Sequence, residues 1–191
     1  MRLVLASGSP RRAELLRAAG FETEVVPSGT TEARLAGEAP ADYVRRLARA
    51  KAAAVAPRYP DLPVVAADTV VVVDDRALEK PRDAADAAAM LGRLSGRGHE
   101  VLTGVAVRWG PDERHHVERT HVWMAVLTDA EIAWYVASGE PFDKAGGYGV
   151  QGLASRFVER VEGSYSNVVG LPVSVVYRLL GELGARRPAP A

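Results

Sequence analysis

A carboxylate interrupts the most apolar stretch of this chain. Asp68 lies inside Val64-Val65-Ala66-Ala67-Asp68-Thr69-Val70-Val71-Val72-Val73. A β-branched run of this kind fits a strand covered on both faces. A charge there must be paired, metal-bound or protonated, because burying it alone is costly. The structural alternative is an Asp satisfied by backbone N–H groups at a bulge. Other residues are out of place in a related way. Arg11 and Arg12 follow Ser7-Gly8-Ser9-Pro10 in the first turn of an expected helix, where the helix dipole disfavours cations. An anion held between them and the exposed N–H groups would reverse that preference. Two solvated arginines are the bland alternative. Lys51 falls on the apolar stripe of Tyr43, Val44, Leu47, Ala48 and Val55, so it either snorkels or reaches into a site. Between Asp143 and Gly152, four glycines occur in ten residues, with Asp143, Lys144 and Gln151 among them. Such a backbone is made to approach something closely, yet its spacing is neither that of a P-loop nor of a dinucleotide fingerprint.

Taken together, Arg11, Arg12, Lys51, Lys80 and Lys144 are cations, and Glu32 and Asp68 are carboxylates. The Ser7–Ser9 loop adds hydroxyls and backbone N–H groups. A polyphosphate ester with Mg²⁺ asks for this set: cations for phosphate oxygens, carboxylates for a hard metal. The residues therefore point to a phosphate-handling enzyme.

The elements that must position them follow from pattern. Strands are expected over 3–6, 22–26, 64–73, 101–108, 116–127 and 156–162. Ser9 and Pro10 begin a helix that Gly20 stops. Further helices are expected over 40–56, 83–94, 128–138 (opened by the capping box Thr128-Asp129-Ala130-Glu131) and 173–183. Asp74-Asp75-Arg76 turns the chain back through Ala77-Leu78, and Gly110-Pro111-Asp112 turns a long hairpin. Strands and helices alternate but carry hairpins, so the fold class is α/β with a mixed sheet flanked by helices, not a doubly wound parallel one. His115, His116 and His121 beside the hairpin read as solvated strand histidines rather than metal ligands.

Composition bounds the rest. Lys plus Arg and Asp plus Glu number 24 each in 191 residues, which gives no general footprint for a nucleic-acid polymer or a membrane surface. Cysteine is absent, which excludes disulfides, thiolate metal sites and a thiol nucleophile. No run reaches the length of a membrane span, and no leader pattern precedes the first strand, so a cytoplasmic location is expected. One domain over 1–184 is expected, followed by a disordered tail over 185–191.

The motifs in order resemble the Maf family: Ser7-Gly8-Ser9-Pro10-Arg11-Arg12, Ala66-Ala67-Asp68-Thr69-Val70-Val71, Glu79-Lys80-Pro81, Leu94-Ser95-Gly96 with His99, the 143–152 stretch and Val169-Gly170-Leu171-Pro172. The resemblance spans nearly the whole chain. It implies a nucleoside triphosphate pyrophosphatase that cleaves between the α and β phosphates. It also implies an inosine triphosphatase-like fold, with an elongated mixed sheet and two lobes around a central cleft. A divalent metal (Mg²⁺ first, Mn²⁺ or Co²⁺ as alternatives), often a homodimer, and links to septum formation and to house-cleaning of non-standard nucleotides are implied too. Family members commonly carry an acidic residue directly before the glutamate that here is Glu32; this chain has Thr31.

As a carboxylate on a buried strand beside a cationic cleft, Asp68 is expected to be the catalytic general base or metal-linked activator of the attacking water, with Glu32 and Asp68 as metal ligands. Ser7, Ser9, Arg11, Arg12, Lys51, Lys80 and Lys144 are expected around the triphosphate. The dTTP- and UTP-selective branch is implied by Arg11, Thr69 and Gln151. The chemistry is compatible. Uracil and thymine present acceptor–donor–acceptor on one edge; a glutamine amide offers donor and acceptor, a threonine hydroxyl either, an arginine only donors. Two other readings stand beside this one: a nucleotidyltransferase running the reverse reaction, and a nucleotide-binding regulator of septum formation with little turnover.

Overall fold

The computed structural model describes residues 1–185. In chain order its elements are β1 (Arg2–Leu5), α1 (Pro10–Ala18), β2 (Glu22–Val25), α2 (Pro40–Val55), β3 (Val64–Val73), β4 (Arg76–Leu78), α3 (Ala84–Leu94), β5 (Gly98–Trp109), β6 (Asp112–Met124), α4 (Asp129–Ala137), β7 (Val158–Glu162), α5 (Tyr165–Val169) and α6 (Val173–Glu182). The seven strands form one mixed sheet in the order β2-β1-β3-β5-β6-β7, with β4 on β3. β1 runs parallel to β2 and β3, placing Val4 opposite Val64, while β3–β4 and β6–β7 are antiparallel. The mixed α/β sheet flanked by helices is the architecture the pattern led us to expect.

Several boundaries differ for local reasons. Ser9 stands at the N-cap of α1 with extended dihedrals, but its side chain makes no capping bond. Instead its N–H donates to Ser7 Oγ at 3.2 Å. The strand expected from 156 starts at Val158, because Leu153–Phe157 forms a 3₁₀ turn that drives Phe157 into the core. α5 has no counterpart in the pattern, since five residues are too few to show a period. It is fixed by Asn167, whose Nδ2 donates to Val101 O and Thr120 Oγ1, each at 3.0 Å. The β3–β4 hairpin turns through Asp74 and Asp75 at φ 50° and 56°, the left-handed pair of a type I′ two-residue turn. Ala185, placed at the start of the expected tail, is buried and donates its N–H to Leu180 O at 3.0 Å. The rest of that tail, 186–191, lies outside the described residues.

The chain divides into two compact units. The first contains Met1–Asp68, Thr103–Glu118 and the described residues from Gly170 onward; the second contains Thr69–Leu102 and Arg119–Val169. In the first unit the strands are covered on both faces. Leu3, Leu5, Val65, Ala67, Val105 and Val107 pack with α1 and α6 residues such as Leu16, Val176 and Leu179. Val4, Ala6, Val64, Ala66 and Ala106 pack with Ala48, Ala52 and Val55 of α2. The second residue set is small, and it lets α2 sit close to the strands. In the second unit Val71, Val73, Val101, Val122 and Met124 pack with Leu91 and Leu94 of α3 and with Tyr135 of α4.

Candidate active site

Strand periodicity decides what Asp68 meets. Side chains two apart along β3 share a face, so Asp68 falls on the side of Val64 and Ala66, which is the side of α2. Lys51 belongs to the buried stripe of that helix. The two are 7% and 6% exposed, and Lys51 Nζ donates to Asp68 Oδ1 at 2.7 Å. The same ammonium lies 2.5 Å from Glu32 Oε1. The snorkelling alternative for Lys51 therefore fails: the buried amine is aimed at two carboxylates.

Glu32 comes from the loop between β2 and α2, and its side chain is exposed. Helix α2 holds the second half of that loop. Tyr43 Oη donates to Glu32 O at 2.9 Å. Arg46 grips Glu38 through two bonds, at 2.6 and 2.7 Å, and donates to Ala33 O at 3.0 Å. The Arg46 guanidinium, with the Leu35 N–H, holds the Glu38 carboxyl down at about 2. One helix thus carries both the buried lysine and the clamp for the loop carboxylate.

Arg12 closes the other side. Its Nε donates to Gly170 O at 2.8 Å, and its Nη1 to Ala67 O at 2.7 Å and Ser7 Oγ at 3.1 Å. It pins the Ser/Gly loop, the backbone next to Asp68 and the turn into α6. Burial lowers its pKa from the ordinary arginine value; the attraction of Asp68 and Glu32 opposes that, and Arg11 adds to it. The guanidinium accordingly feels both carboxylates.

The first unit thus brings together Ser7, Arg12, Glu32, Lys51 and Asp68. Ser9 and Arg11 are half-buried at the start of α1, and Thr69 is half-buried directly after Asp68. Lys80, Lys144 and Gln151 belong to the second unit. Lys80 and Gln151 are exposed. Lys144 Nζ donates to Glu140 O at 2.7 Å and Asp143 Oδ1 at 2.6 Å.

Within the second unit, His99 Nε2 and Tyr148 Oη meet at 2.7 Å, both groups buried. Burial pushes His99 down to about 4 and the Tyr148 hydroxyl up, so both are neutral near pH 7. His115, His116 and His121 are part-exposed and lie near Glu113, Glu118 and Glu100. Sequence reasoning placed Tyr43 only on the apolar stripe of its helix and gave no role to Arg46, Tyr135 or Glu140. The bidentate Arg46–Glu38 pair spans eight residues and a loop, a separation no helical or strand period marks.

Glu32 and Asp68 suit a hard cation. Their carboxylate oxygens contact one ammonium, so they converge on one position. Among the described residues no group of three or more His, Cys, Asp or Glu gathers to hold an ion. Two carboxylates are what Mg²⁺ takes when it keeps waters and shares substrate phosphates.

An α/β chain with two carboxylates and two cations converging at one point on its sheet has the equipment for an anionic, metal-accompanied substrate. Residues 2–183 match the family model described as Maf-like protein, and this chain belongs to that family. A relative from Koribacter versatilis, called a dTTP/UTP pyrophosphatase, is 53% identical over 96% of this chain and 95% of its own length. Relatives of the same description from Vibrio cholerae and Escherichia coli O157:H7 are 52% and 51% identical, over 94% and 97% of this chain and 96% and 94% of their own. Among solved structures, the Staphylococcus aureus Ham1 protein is similar over 68% of this chain and 73% of its own, at 16% identity and a TM-score of 0.45. No helix among the described residues is long and apolar enough to cross a membrane.

Proposed function

We propose that this chain hydrolyses nucleoside triphosphates, dTTP and UTP above others, between the α and β phosphates. The products are the nucleoside monophosphate and pyrophosphate. The observation that carries the reading is the buried Lys51 ammonium shared by Asp68 and Glu32, in a chain about half identical to relatives called dTTP/UTP pyrophosphatases.

In this reading Asp68 accepts a proton from water as the water oxygen bonds to the α phosphorus. The bridging P–O bond to the β phosphate breaks, and pyrophosphate leaves as the anion. Lys51 fixes the Asp68 carboxylate, and Arg12 fixes the backbone next to it. Positioned general bases contribute on the order of 10²–10⁴-fold. Arg11, Arg12, Lys80 and Lys144, with Ser7, Ser9 and the N-terminus of α1, bind the phosphate oxygens, since phosphoryl chemistry is mainly positioning and charge stabilisation. Lys144 has spent two of its three N–H bonds on Glu140 and Asp143 and offers the third. A divalent cation held by Glu32 and Asp68 would neutralise phosphate charge. Gln151, Thr69 and Arg11 read the acceptor–donor–acceptor edge of the pyrimidine, which cytosine lacks; each polar group that a bound base buries unpaired costs about 1–3 kcal/mol. The C5 position is left unread, so 5-modified uridine triphosphates are substrates too. A cytoplasmic homodimer completes the reading; light scattering measures the assembly.

The test is pyrophosphate release from canonical and modified triphosphates with Mg²⁺ and no second substrate. UTP and dTTP are expected well above CTP, ATP and GTP. Tight binding without turnover would favour the regulator. Product that appears only with an added sugar phosphate or alcohol would favour the nucleotidyltransferase.

A further inference from the structure

The loop that carries Gln151 is built around one carboxylate. Gly152 N–H donates to Gly149 O at 3.1 Å, closing a four-residue turn with Val150 and Gln151 at its centre. Both sides of this turn are tied to the same pair of side chains. Before it, Gly149 N–H donates to Tyr135 Oη at 3.3 Å. After it, Leu153 N–H donates to Glu140 Oε2 at 2.8 Å. The pair is joined by Tyr135 Oη donating to Glu140 Oε1 at 2.8 Å. Tyr135 is fully buried in the second core, in an edge-to-face contact with Phe157. Burial, and next the bond to Glu140, raise its hydroxyl pKa, which keeps the donor proton in place.

The glycines record the same arrangement. A Cβ at Gly152 would lie 2.3 and 2.4 Å from the Glu140 carboxylate oxygens, and one at Gly149 would lie 2.6 Å from Lys144 Cε. Contacts that short do not occur, so both positions must lack a side chain for the carboxylate to enter and Lys144 to pass. Lys144 itself is held by the Glu140 carbonyl. A glutamate at the start of the short 3₁₀ turn that follows α4 would ordinarily be solvated. This one instead satisfies a buried phenol and a loop amide.

We propose that Glu140, held by Tyr135, is the positioning residue for Gln151, and so sets pyrimidine selectivity without touching the base. The inference rests on the specificity reading given above for Gln151. An exposed glutamine on an unpinned turn loses rotamer and backbone freedom on binding, and a fixed turn removes part of that loss. Discrimination between bases would then depend on Glu140 even though the hydrolytic step, centred on Asp68, does not.

The experiment compares kcat and KM for UTP and CTP in the wild type, Glu140→Gln, Tyr135→Phe, Gln151→Ala and the double variant Glu140→Gln/Gln151→Ala. Hydrogen exchange of the 149–153 amides is followed in parallel. Glutamine keeps the shape of Glu140 but offers one acceptor for two donors. If Glu140→Gln does not fold, Tyr135→Phe carries the same test, because it removes only the hydroxyl. The expected result is faster exchange over 149–153 and a UTP:CTP preference in kcat/KM lowered about tenfold, the scale of one lost hydrogen bond. The loss should lie in KM for UTP, with kcat held within about twofold. Adding Gln151→Ala to Glu140→Gln should lower the ratio by less than Gln151→Ala does in the wild type, the non-additivity of two coupled residues. A preference kept in Glu140→Gln or Tyr135→Phe but lost in Gln151→Ala overturns this inference and leaves the specificity reading standing. No preference in the wild type overturns both.

Discussion

Substituting Gly104 by alanine tests whether α2 is seated as described, and with it the placement of Lys51. Gly104 lies on β5, on the face that Ala106 presents to α2. A Cβ at this position would stand 2.2 Å from Val44 O and 2.4 Å from Val44 C. Both are helix backbone atoms, so no rotamer change relieves the clash. Ordinary contact begins at 3.4 Å, so α2 or β5 must recede by about 1 Å. Overpacking of this kind costs about 1–3 kcal/mol. For a chain of this size the melting temperature falls roughly 2–4 °C per kcal/mol, hence by about 2–12 °C. Lys51 lies two turns beyond Val44 on the same face, so the displacement reaches its bond to Asp68. A misplacement near 1 Å can cost about 10²-fold in turnover. Thermal melts and pyrophosphate release measure the two effects. Gly92→Ala on α3 is the control, since nothing lies within 4 Å of its added Cβ, and it should stabilise by up to about 1 kcal/mol. A Gly104→Ala protein with wild-type melting and wild-type turnover would refute the packing argument.

Asp68→Asn should fold and lose about 10²–10⁴-fold in kcat; unchanged turnover in a folded protein removes Asp68 from the role of base. Lys51→Ala leaves Asp68 buried without its ammonium, so both melting temperature and kcat should fall, whereas a fall in melting temperature alone would make the lysine structural. His99 titrates at about 4 in the fold and near 6.5 unfolded. Its contribution is therefore present in full above pH 6.5 and is lost as pH falls from there toward 4. The difference amounts to about 3 kcal/mol. Denaturant titrations of the wild type and His99→Gln should converge in slope above pH 6.5 and diverge below it; identical pH profiles would contradict the burial argument. Chelation should abolish pyrophosphate release and Mg²⁺ should restore it, with Glu32→Gln raising the Mg²⁺ concentration required; full activity in chelator would contradict the role of Glu32 and Asp68 as metal ligands.

The central strand β3 was legible in the sequence because it is a β-branched run, and its hairpin because turn residues follow it. Asp68 was legible because a charge inside such a run contradicts its surroundings. Lys51 could be placed on the buried stripe of α2, but the choice between snorkelling and a site needed the face of β3 that α2 covers. That face follows from residues distant in the chain, Ala66 and Ala106 on the strands and Ala48 and Ala52 on the helix. Arg12 shows the opposite limit. Its type suggested phosphate binding, yet its bonds to Gly170 and Ala67 span separations that no local pattern encodes. Glu140 had no signal at all before its contacts with Tyr135 and Leu153 were seen, and α5 was too short for periodicity to show.

In the proposed reaction, water cleaves the triphosphate between the α and β phosphates. UTP incubated with Mg²⁺ and this protein, followed by phosphorus NMR, tests it directly. Uridine monophosphate and pyrophosphate are expected in equal amounts, with both absent in Asp68→Asn on the same timescale. Uridine diphosphate with orthophosphate, or product formation independent of Asp68, would contradict it.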